Sequence, residues 1–275
     1  MREVMMADPW YRSSFSSTAF VRYRLPEFKD KYYTLIIFGK CNMRCSFCFS
    51  GGSEKNLKNQ LPGARAVEFE EVIEKVIEQV KNNEIIRISG GEPTLFPKEV
   101  KDILKAIKEN GGYSILDTNG TNFNVLKELS KYIDVLSIDG PKASLNNIEI
   151  LTGTRKEISW YKPLETLYNA KKLSYRVLEY KNVLFDPINY NHIRFLAENI
   201  PEESILTLKS YRETKEVKND GGFKREIISN GFKKPNKEEV YKTAEKLIRD
   251  FPSLRGRLLV IYGSTRRKEN YKWFK

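Results

Sequence analysis

The feature that most constrains the fold of this 275-residue chain is a repeated alternation of short apolar runs and amphipathic segments. Runs such as TLIIF (34–38) and IIRIS (85–89) have the length and composition of buried strands. The segment PKEVKDILKAIKENGG begins at Pro97 and stops at Gly111, which is typical of a helix. Repeated strand–helix units predict an α/β fold, in which helices cover a parallel sheet. About six units favour a barrel over a doubly wound sheet.

The alternation covers residues 31–212, which we predict to be the core domain, and leaves two flanking segments. Residues 1–30 contain prolines and a Ser/Thr-rich stretch, so we expect an irregular N-terminal extension. Residues 213–275 begin with a polar, Gly/Asn-rich segment over 214–236, which predicts a loop or hairpin. A helix (KEEVYKTAEKLIRDF) and a last strand (RLLVIYG) are expected after it, so the C-terminal part adds a helix and a strand to the core.

The chain is basic, with 48 Lys and Arg against 36 Asp and Glu and a formal net charge of +12. A solvated surface accounts for this charge, since the lysines are interspersed with glutamates, but it also suits an acidic partner such as RNA. No run of 18 apolar residues is present, and the first 17 residues lack the apolar stretch of a signal peptide. We therefore expect a cytoplasmic protein with no membrane partner.

All three cysteines, Cys41, Cys45 and Cys48, lie within eight residues, in the sequence CNMRCSFCFS. In a reducing compartment, clustered thiols more often bind metal or do redox chemistry than form disulfides. Structural zinc sites and all-cysteine iron–sulfur clusters both use four ligands, and the single histidine, His192, is far away in the sequence. Three thiolates therefore predict a cluster with one iron open to a non-protein ligand.

Two more polar motifs stand at the ends of predicted strands, where parallel α/β folds bind ligands. They are Gly90, Gly91 and Glu92 after IIRIS, and Asp117, Thr118 and Asn119 in LDTNG. Adjacent glycines let a ligand approach the backbone closely, and the glutamate adds an anionic group. Either motif alone is equally well a turn or a helix cap. Polar motifs at three successive strand ends together indicate one binding site.

The C-x3-C-x2-C loop, with Phe47 before its last cysteine and GGEP after the next strand, resembles the radical S-adenosylmethionine (SAM) superfamily. The resemblance spans roughly residues 33–212 and implies a partial (β/α)6 barrel. It implies a [4Fe–4S] cluster on the three cysteines, whose open iron binds the amino and carboxylate groups of SAM. An electron, from a donor such as ferredoxin or flavodoxin, would cleave SAM to methionine and a 5′-deoxyadenosyl radical that abstracts hydrogen from a substrate.

By the same resemblance, the GGE motif faces the methionine end of SAM and Phe47 lies near the adenine. Within the superfamily, SGGEPTLFP followed by LDTNG is similar to the glycyl-radical-enzyme activating enzymes. That similarity places Asp117 and Thr118 near SAM and a monovalent cation, and implies a glycyl radical enzyme as protein substrate. The D-x-K motif of those enzymes corresponds to Asp139 and Lys142, with the lysine one residue late. Arg212 stands where they often carry a histidine near SAM.

Two other hypotheses remain open at this point. The wybutosine-type tRNA enzymes share a C-x3-C-x2-C loop and a K-x-Y motif like that in LKSYR, so a modified RNA is the alternative substrate. A non-catalytic metal-binding protein on a degenerate barrel is the third hypothesis. The three cysteines and the intact GGEP weigh against it.

Overall fold

The computed structural model describes residues 2–7, 11–13, 25–28, 31–48, 60–211, 232–263 and 270–275. Across these residues the chain forms eleven strands of one sheet and seven α-helices. The strands are β1 (Glu3–Met6), β2 (Tyr11–Ser13), β3 (Tyr33–Phe38), β4 (Arg65–Glu68), β5 (Ile85–Gly90), β6 (Ser114–Thr118), β7 (Val135–Asp139), β8 (Val177–Leu184), β9 (Ile205–Ser210), β10 (Leu258–Ile261) and β11 (Tyr271–Phe274). The helices are α1 (Phe69–Lys81), α2 (Pro97–Glu109), α3 (Phe123–Leu129), α4 (Ile148–Thr152), α5 (Lys162–Asn169), α6 (Tyr190–Asn199) and α7 (Lys237–Asp250).

Seven adjacent strands run parallel, in the order β3-β5-β6-β7-β8-β9-β10. The register between β3 and β5 pairs Tyr33 with Ile85 and Phe38 with Gly90. The order of the described strands runs from β11 to β4 without closing, so the barrel is partial. The predicted α/β fold is confirmed, with its six core strands followed by the C-terminal helix–strand addition. Because the strands are parallel, their carboxyl ends meet at one edge.

The outer face of the sheet is covered by amphipathic helices, as helix α2 illustrates. Pro97 occupies its first turn, and Gly111, with φ of +70°, follows its end. Its buried face includes Val100, Ile103 and Leu104, which join the main hydrophobic core. Burial of such side chains stabilises the fold by about 1.5–3 kcal/mol each. None of the helices within the described residues is both long enough and apolar enough to cross a membrane.

The inner face of the sheet changes from apolar to polar along strands β5 to β9. Since alternate residues share a face, β9 presents Ile205, then Thr207, then Lys209 to the interior. Strand β8 likewise changes from Val177 to Lys181 before it ends at Leu184. The first residues of the strands form a second apolar cluster that includes Ile85, Ile115, Val135, Val177, Ile205 and Leu259. This cluster closes the amino end of the barrel, and polar groups line the open carboxyl end.

The described residues of the N-terminal extension include two strands, where the sequence predicted irregular structure. Strand β1 pairs antiparallel with β3 and β4, and β2 pairs with β3, with Tyr11 opposite Leu35. Strand β11, also not predicted, pairs with β10, with Trp273 opposite Leu259. These strands have three or four residues, too few for a periodic pattern, and they form on the open edges of the parallel sheet. Most of the predicted loop over 214–236 lies outside the described residues.

Candidate active site

A cavity of about 330 Å³ opens at the carboxyl ends of the parallel strands. It brings together residues from the cysteine loop and from β3 and β5 to β9. The predicted site residues that line it are Cys41, Cys45, Phe47, Cys48, Gly90, Gly91, Asp117, Thr118, Asn119, Asp139 and Lys142. Glu92 does not line it, and Arg212 lies outside the described residues.

The cysteine loop is held in place by helix α4 and the residue that follows it. The backbone N–H of Arg44 donates to the carbonyl of Thr152 (2.8 Å), and that of Ser46 donates to the carbonyl of Leu151 (2.9 Å). Gly153 has φ of +57°, and a Cβ there would lie 2.9 Å from the Cβ of Arg44. The LTG sequence over 151–153 therefore positions the cysteine loop.

None of the three cysteines forms a disulfide, and all of them line the cavity. Cys41 and Cys45 are buried and Cys48 is half-buried. Within the described residues, no three His, Cys, Asp or Glu side chains converge as ligands of a single metal ion, and His192 does not line this cavity. Such convergence is what a mononuclear zinc site requires. Three separate thiols instead fit a polynuclear iron–sulfur cluster, in which each thiolate binds a different iron.

The two glycines of GGEP are required by the neighbouring strand. A Cβ on Gly90, which has φ of +115°, would lie 2.4 Å from the backbone nitrogen of Phe38. A Cβ on Gly91 would lie 1.9 Å from the carbonyl oxygen of Lys40. The expectation that these glycines serve the approach of a ligand is therefore incomplete, because the close contact that excludes a side chain is with the backbone after β3. Both glycines still line the cavity.

The glutamate of GGEP is an internal anchor and does not line the cavity; the expectation that it faces SAM stays a prediction. Glu92 is 0% exposed. Its Oε1 accepts hydrogen bonds from the Thr94 N–H (3.0 Å), the Thr94 hydroxyl (2.6 Å) and the Thr118 hydroxyl (2.8 Å). Its Oε2 accepts from the Asn119 N–H (2.7 Å). Burial raises the pKa of this carboxyl, and the hydrogen bonds oppose that effect.

Asn119 extends this anchor to the cysteine loop. Its side-chain Nδ2 donates to Oδ1 of Asn42 (2.7 Å), and Nδ2 of Asn42 donates to the hydroxyl of Thr121 (2.8 Å). The ends of β5 and β6 and the cysteine loop are thus joined by one chain of hydrogen bonds. Asn42 was not among the predicted site residues.

Asp117 is bound by two basic side chains. Its Oδ2 accepts from Nε of Arg87 (2.6 Å), and its Oδ1 accepts from Nη2 of Arg87 (2.8 Å) and from Nζ of Lys181 (2.8 Å). Burial alone would raise the pKa of Asp117, but the charges of Arg87 and Lys181 lower it well below its usual range. Cationic groups thus contact both carboxylate oxygens of Asp117, and the monovalent cation expected nearby stays a prediction.

Asp139 and Lys142 form a second ion pair, despite the extra residue between them. Nζ of Lys142 lies 2.7 Å from Oδ2 of Asp139 and 5.9 Å from the ring centroid of Phe47. Lys181 approaches the other oxygen of Asp139 at 3.4 Å. Burial would raise the pKa of Asp139, but the charges of Lys142 and Lys181 outweigh it and lower the pKa to about 2.

Sequence reasoning missed the basic residues that project from the strands into the cavity. They are Arg87 in β5, Lys181 in β8 and Lys209 in β9. The available signal was a single charge inside an otherwise apolar run, as in IIRIS and LTLKS. Such a charge is buried only if it is paired or serves a ligand.

We predict that Asp117→Asn destabilises the apoprotein by roughly 3–5 kcal/mol in urea unfolding, because it leaves Arg87 and Lys181 buried without a shared counter-charge. Asp139→Asn is the matched control. The side chain of Asp139 is 37% exposed, against 12% for Asp117, so solvent screening limits its cost to about 1 kcal/mol. Equal losses in the two variants would contradict this description of the charge network.

Residues 35–200, more than half of the chain, match the Radical SAM superfamily. A protein of Methanocaldococcus jannaschii named as a glycyl-radical enzyme activating enzyme is 36% identical over 115 residues, which are 41% of this chain and 45% of that protein. The pyruvate formate-lyase-activating enzyme of Clostridium pasteurianum is 27% identical over 127 residues, which are 45% of this chain and 51% of that protein. The chain thus aligns with about half the length of these two relatives.

Among solved structures, this chain is similar to Streptococcus suis SuiB bound to S-adenosylmethionine. The superposition covers 89% of this chain and 55% of the SuiB chain, with a TM-score of 0.55 and 19% sequence identity. This likeness concerns the fold alone and agrees with the partial barrel. Radical SAM enzymes use a [4Fe–4S] cluster and SAM, which confirms the two cofactors expected from the sequence. The chain, with its three-cysteine loop above a partial barrel, belongs to the radical SAM superfamily.

Proposed function

We propose that Cys41, Cys45 and Cys48 hold the [4Fe–4S] cluster and leave one iron for SAM. The observation that carries this proposal is the position of three cysteines, none in a disulfide, on one cavity, with no fourth cysteine in the sequence. When bound, the cluster supplies the electron that cleaves SAM to methionine and a 5′-deoxyadenosyl radical. The residues that line the cavity would hold the substrate from which such a radical abstracts hydrogen.

The residues beside the thiols fit the two ends of SAM. Nζ of Lys142 lies 5.9 Å from the ring centroid of Phe47, so its ammonium lies on the cysteine side of the cavity, where a carboxylate of SAM would find a counter-charge. Phe47 is half-buried and meets Phe185 with its ring centroid 5.2 Å away. We assign Phe47 to the adenine, because a fixed aromatic face suits a flat base. Gly90 and Gly91 leave the backbone accessible for the methionine end.

The cavity also excludes alternative reactants. Apolar side chains of Leu35, Met43, Val183 and Ile261 lie among the charged groups that line it. A primary radical attacks almost any C–H bond, so the protein contributes enclosure and orientation more than acid–base chemistry. Lys142, Lys181 and Asp117 are held by ion pairs, which fixes them in place around the reacting groups.

We further propose that the substrate is a glycyl radical enzyme and that the electron donor is a ferredoxin or flavodoxin. Two relatives are named as activating enzymes of this kind, although each alignment spans about half of the relative. The Asp139–Lys142 pair adds support, since the shifted lysine still reaches the aspartate that it accompanies in the D-x-K motif.

RNA modification is the second candidate, and the observation that favours it is the net charge of +12. Binding that relies on phosphate contacts loses affinity steeply as salt rises. The salt dependence of binding therefore distinguishes an RNA substrate from a protein substrate before the product is known.

Cys45→Ala is predicted to lose most of its iron after anaerobic reconstitution and to abolish SAM cleavage, measured as 5′-deoxyadenosine formed under a chemical reductant. Met43→Leu is the matched control, because Met43 is buried in the same loop but lies outside the proposed ligand set. The control should keep about four irons per chain. A wild-type protein that binds one zinc and no iron would overturn the proposal.

For the substrate, we predict that bulk tRNA binds weakly or not at all in about 50 mM salt, as measured by filter binding. Tight binding that weakens at least tenfold between about 50 and 200 mM salt would replace the activating-enzyme assignment with RNA modification. The positive result for the activating enzyme is an organic radical, detected by electron paramagnetic resonance, on an added glycyl radical enzyme.

A further inference from the structure

Among the described residues, and apart from the thiols assigned to the cluster, the charged side chains that line the cavity do not balance. Four basic side chains face it, those of Arg87, Lys142, Lys181 and Lys209, against the two carboxylates of Asp117 and Asp139. A cation in a partly buried site is unfavourable unless a counter-charge or hydrogen bonds compensate it. The excess of positive charge therefore implies that one of these basic groups has no carboxylate partner among the residues that line the cavity.

Three of the four basic groups share the two carboxylates. Arg87 takes both oxygens of Asp117, and Lys142 takes one oxygen of Asp139. Lys181 lies between the two carboxylates, at 2.8 Å from Asp117 and 3.4 Å from Asp139. These contacts leave neither aspartate with an oxygen free for the fourth cation.

Lys209 is that fourth cation, and it makes no hydrogen bond or ion pair with the described part of the chain. The nearby carboxylate of Glu179 accepts hydrogen bonds from Ser137 and from Thr207 (2.6 Å), and it lies one layer deeper in the barrel. Burial and repulsion by Lys181 lower the pKa of Lys209 to about 8, an effect that Glu179 only partly offsets. Within the part of the chain that the structure describes, the Lys209 ammonium thus lacks the counter-charge that each of its neighbours has.

The position of Lys209 separates it from the cysteine loop. Lys209 stands on β9, the last of the six core strands, whereas the cysteine loop follows β3, the first of them. Nζ of Lys142 lies 5.9 Å from the ring centroid of Phe47 in the cysteine loop, whereas no hydrogen bond, ion pair or ring contact joins Lys209 to the described part of that loop. Lys142 is therefore the better counter-charge for SAM, and Lys209 is available for another molecule.

We propose that Lys209 binds an oxyanion, either a carboxylate or a phosphate, that the substrate carries. This inference rests on the proposed function, since it assigns a contact to the substrate of the same cavity. The oxyanion supplies the counter-charge of Lys209 and holds the substrate against β9. A carboxylate would come from an acidic peptide side chain or a small acid, and a phosphate from a nucleotide.

Labelling of lysines with acetic anhydride, quantified by mass spectrometry on the reconstituted holoenzyme, tests this contact. The probes are acetate and inorganic phosphate at constant ionic strength, near the millimolar dissociation constants expected for one charged contact. At about ten times the dissociation constant, we expect labelling of Lys209 to slow roughly tenfold. The exposed Lys171 should be unaffected.

Protection by acetate alone indicates a carboxylate, and protection by phosphate indicates a phosphate; either supports the inference. No protection by either anion overturns it. Protection by SAM alone also overturns it, because Lys209 would then belong to the cofactor site. A holoenzyme that cleaves SAM but shows no protection of Lys209 by either anion contradicts this inference and does not affect the proposed function.

Lys209→Met provides the second measurement. Methionine keeps a similar chain length, and the change breaks no contact with the described residues, so the variant should fold with unchanged circular dichroism. We expect the variant to lose phosphate or acetate binding in isothermal titration calorimetry, and Lys171→Met to retain it. Equal binding by both variants contradicts the assignment even if the labelling shows protection.

Discussion

One buried carboxylate, that of Glu92, holds the candidate site together. It accepts four hydrogen bonds from residues at the ends of β5 and β6, and Asn119 passes the connection on to Asn42 in the cysteine loop. A fully buried carboxylate is tolerated only when its oxygens are satisfied in this way. The position of the cysteines relative to the strand ends therefore depends on this network.

Above this anchor, the barrel separates a closed apolar end from an open charged one. Asp117 and Asp139 fix Arg87, Lys142 and Lys181 in place. Ion pairs of this kind contribute little to net stability, because desolvation offsets the attraction, but they hold groups rigidly around a ligand. The remaining cation, Lys209, is the group whose compensation we assign to the substrate.

Sequence patterns within one element predicted the longer strands and helices, whose formation depends on neighbouring residues in the chain. Strand β3 and helix α2 follow from an apolar run and from Pro97 and Gly111. Strand β2 could not be predicted, because three residues form a strand only where β3 offers an open edge. The role of Glu92 was also hidden, since its partner Asn119 lies 27 residues away. The cysteine motif was evident from the sequence, because all three cysteines lie within eight residues.

The central claim is that three cysteines leave one iron of the cluster open to SAM. Electron paramagnetic resonance of the reduced, reconstituted protein, with SAM carrying 15N in its methionine amino group, tests this claim most directly. We predict that SAM changes the cluster signal and that coupling to the 15N label appears, because the amino group binds the open iron. A fully loaded cluster whose spectrum is unchanged by saturating SAM would contradict it.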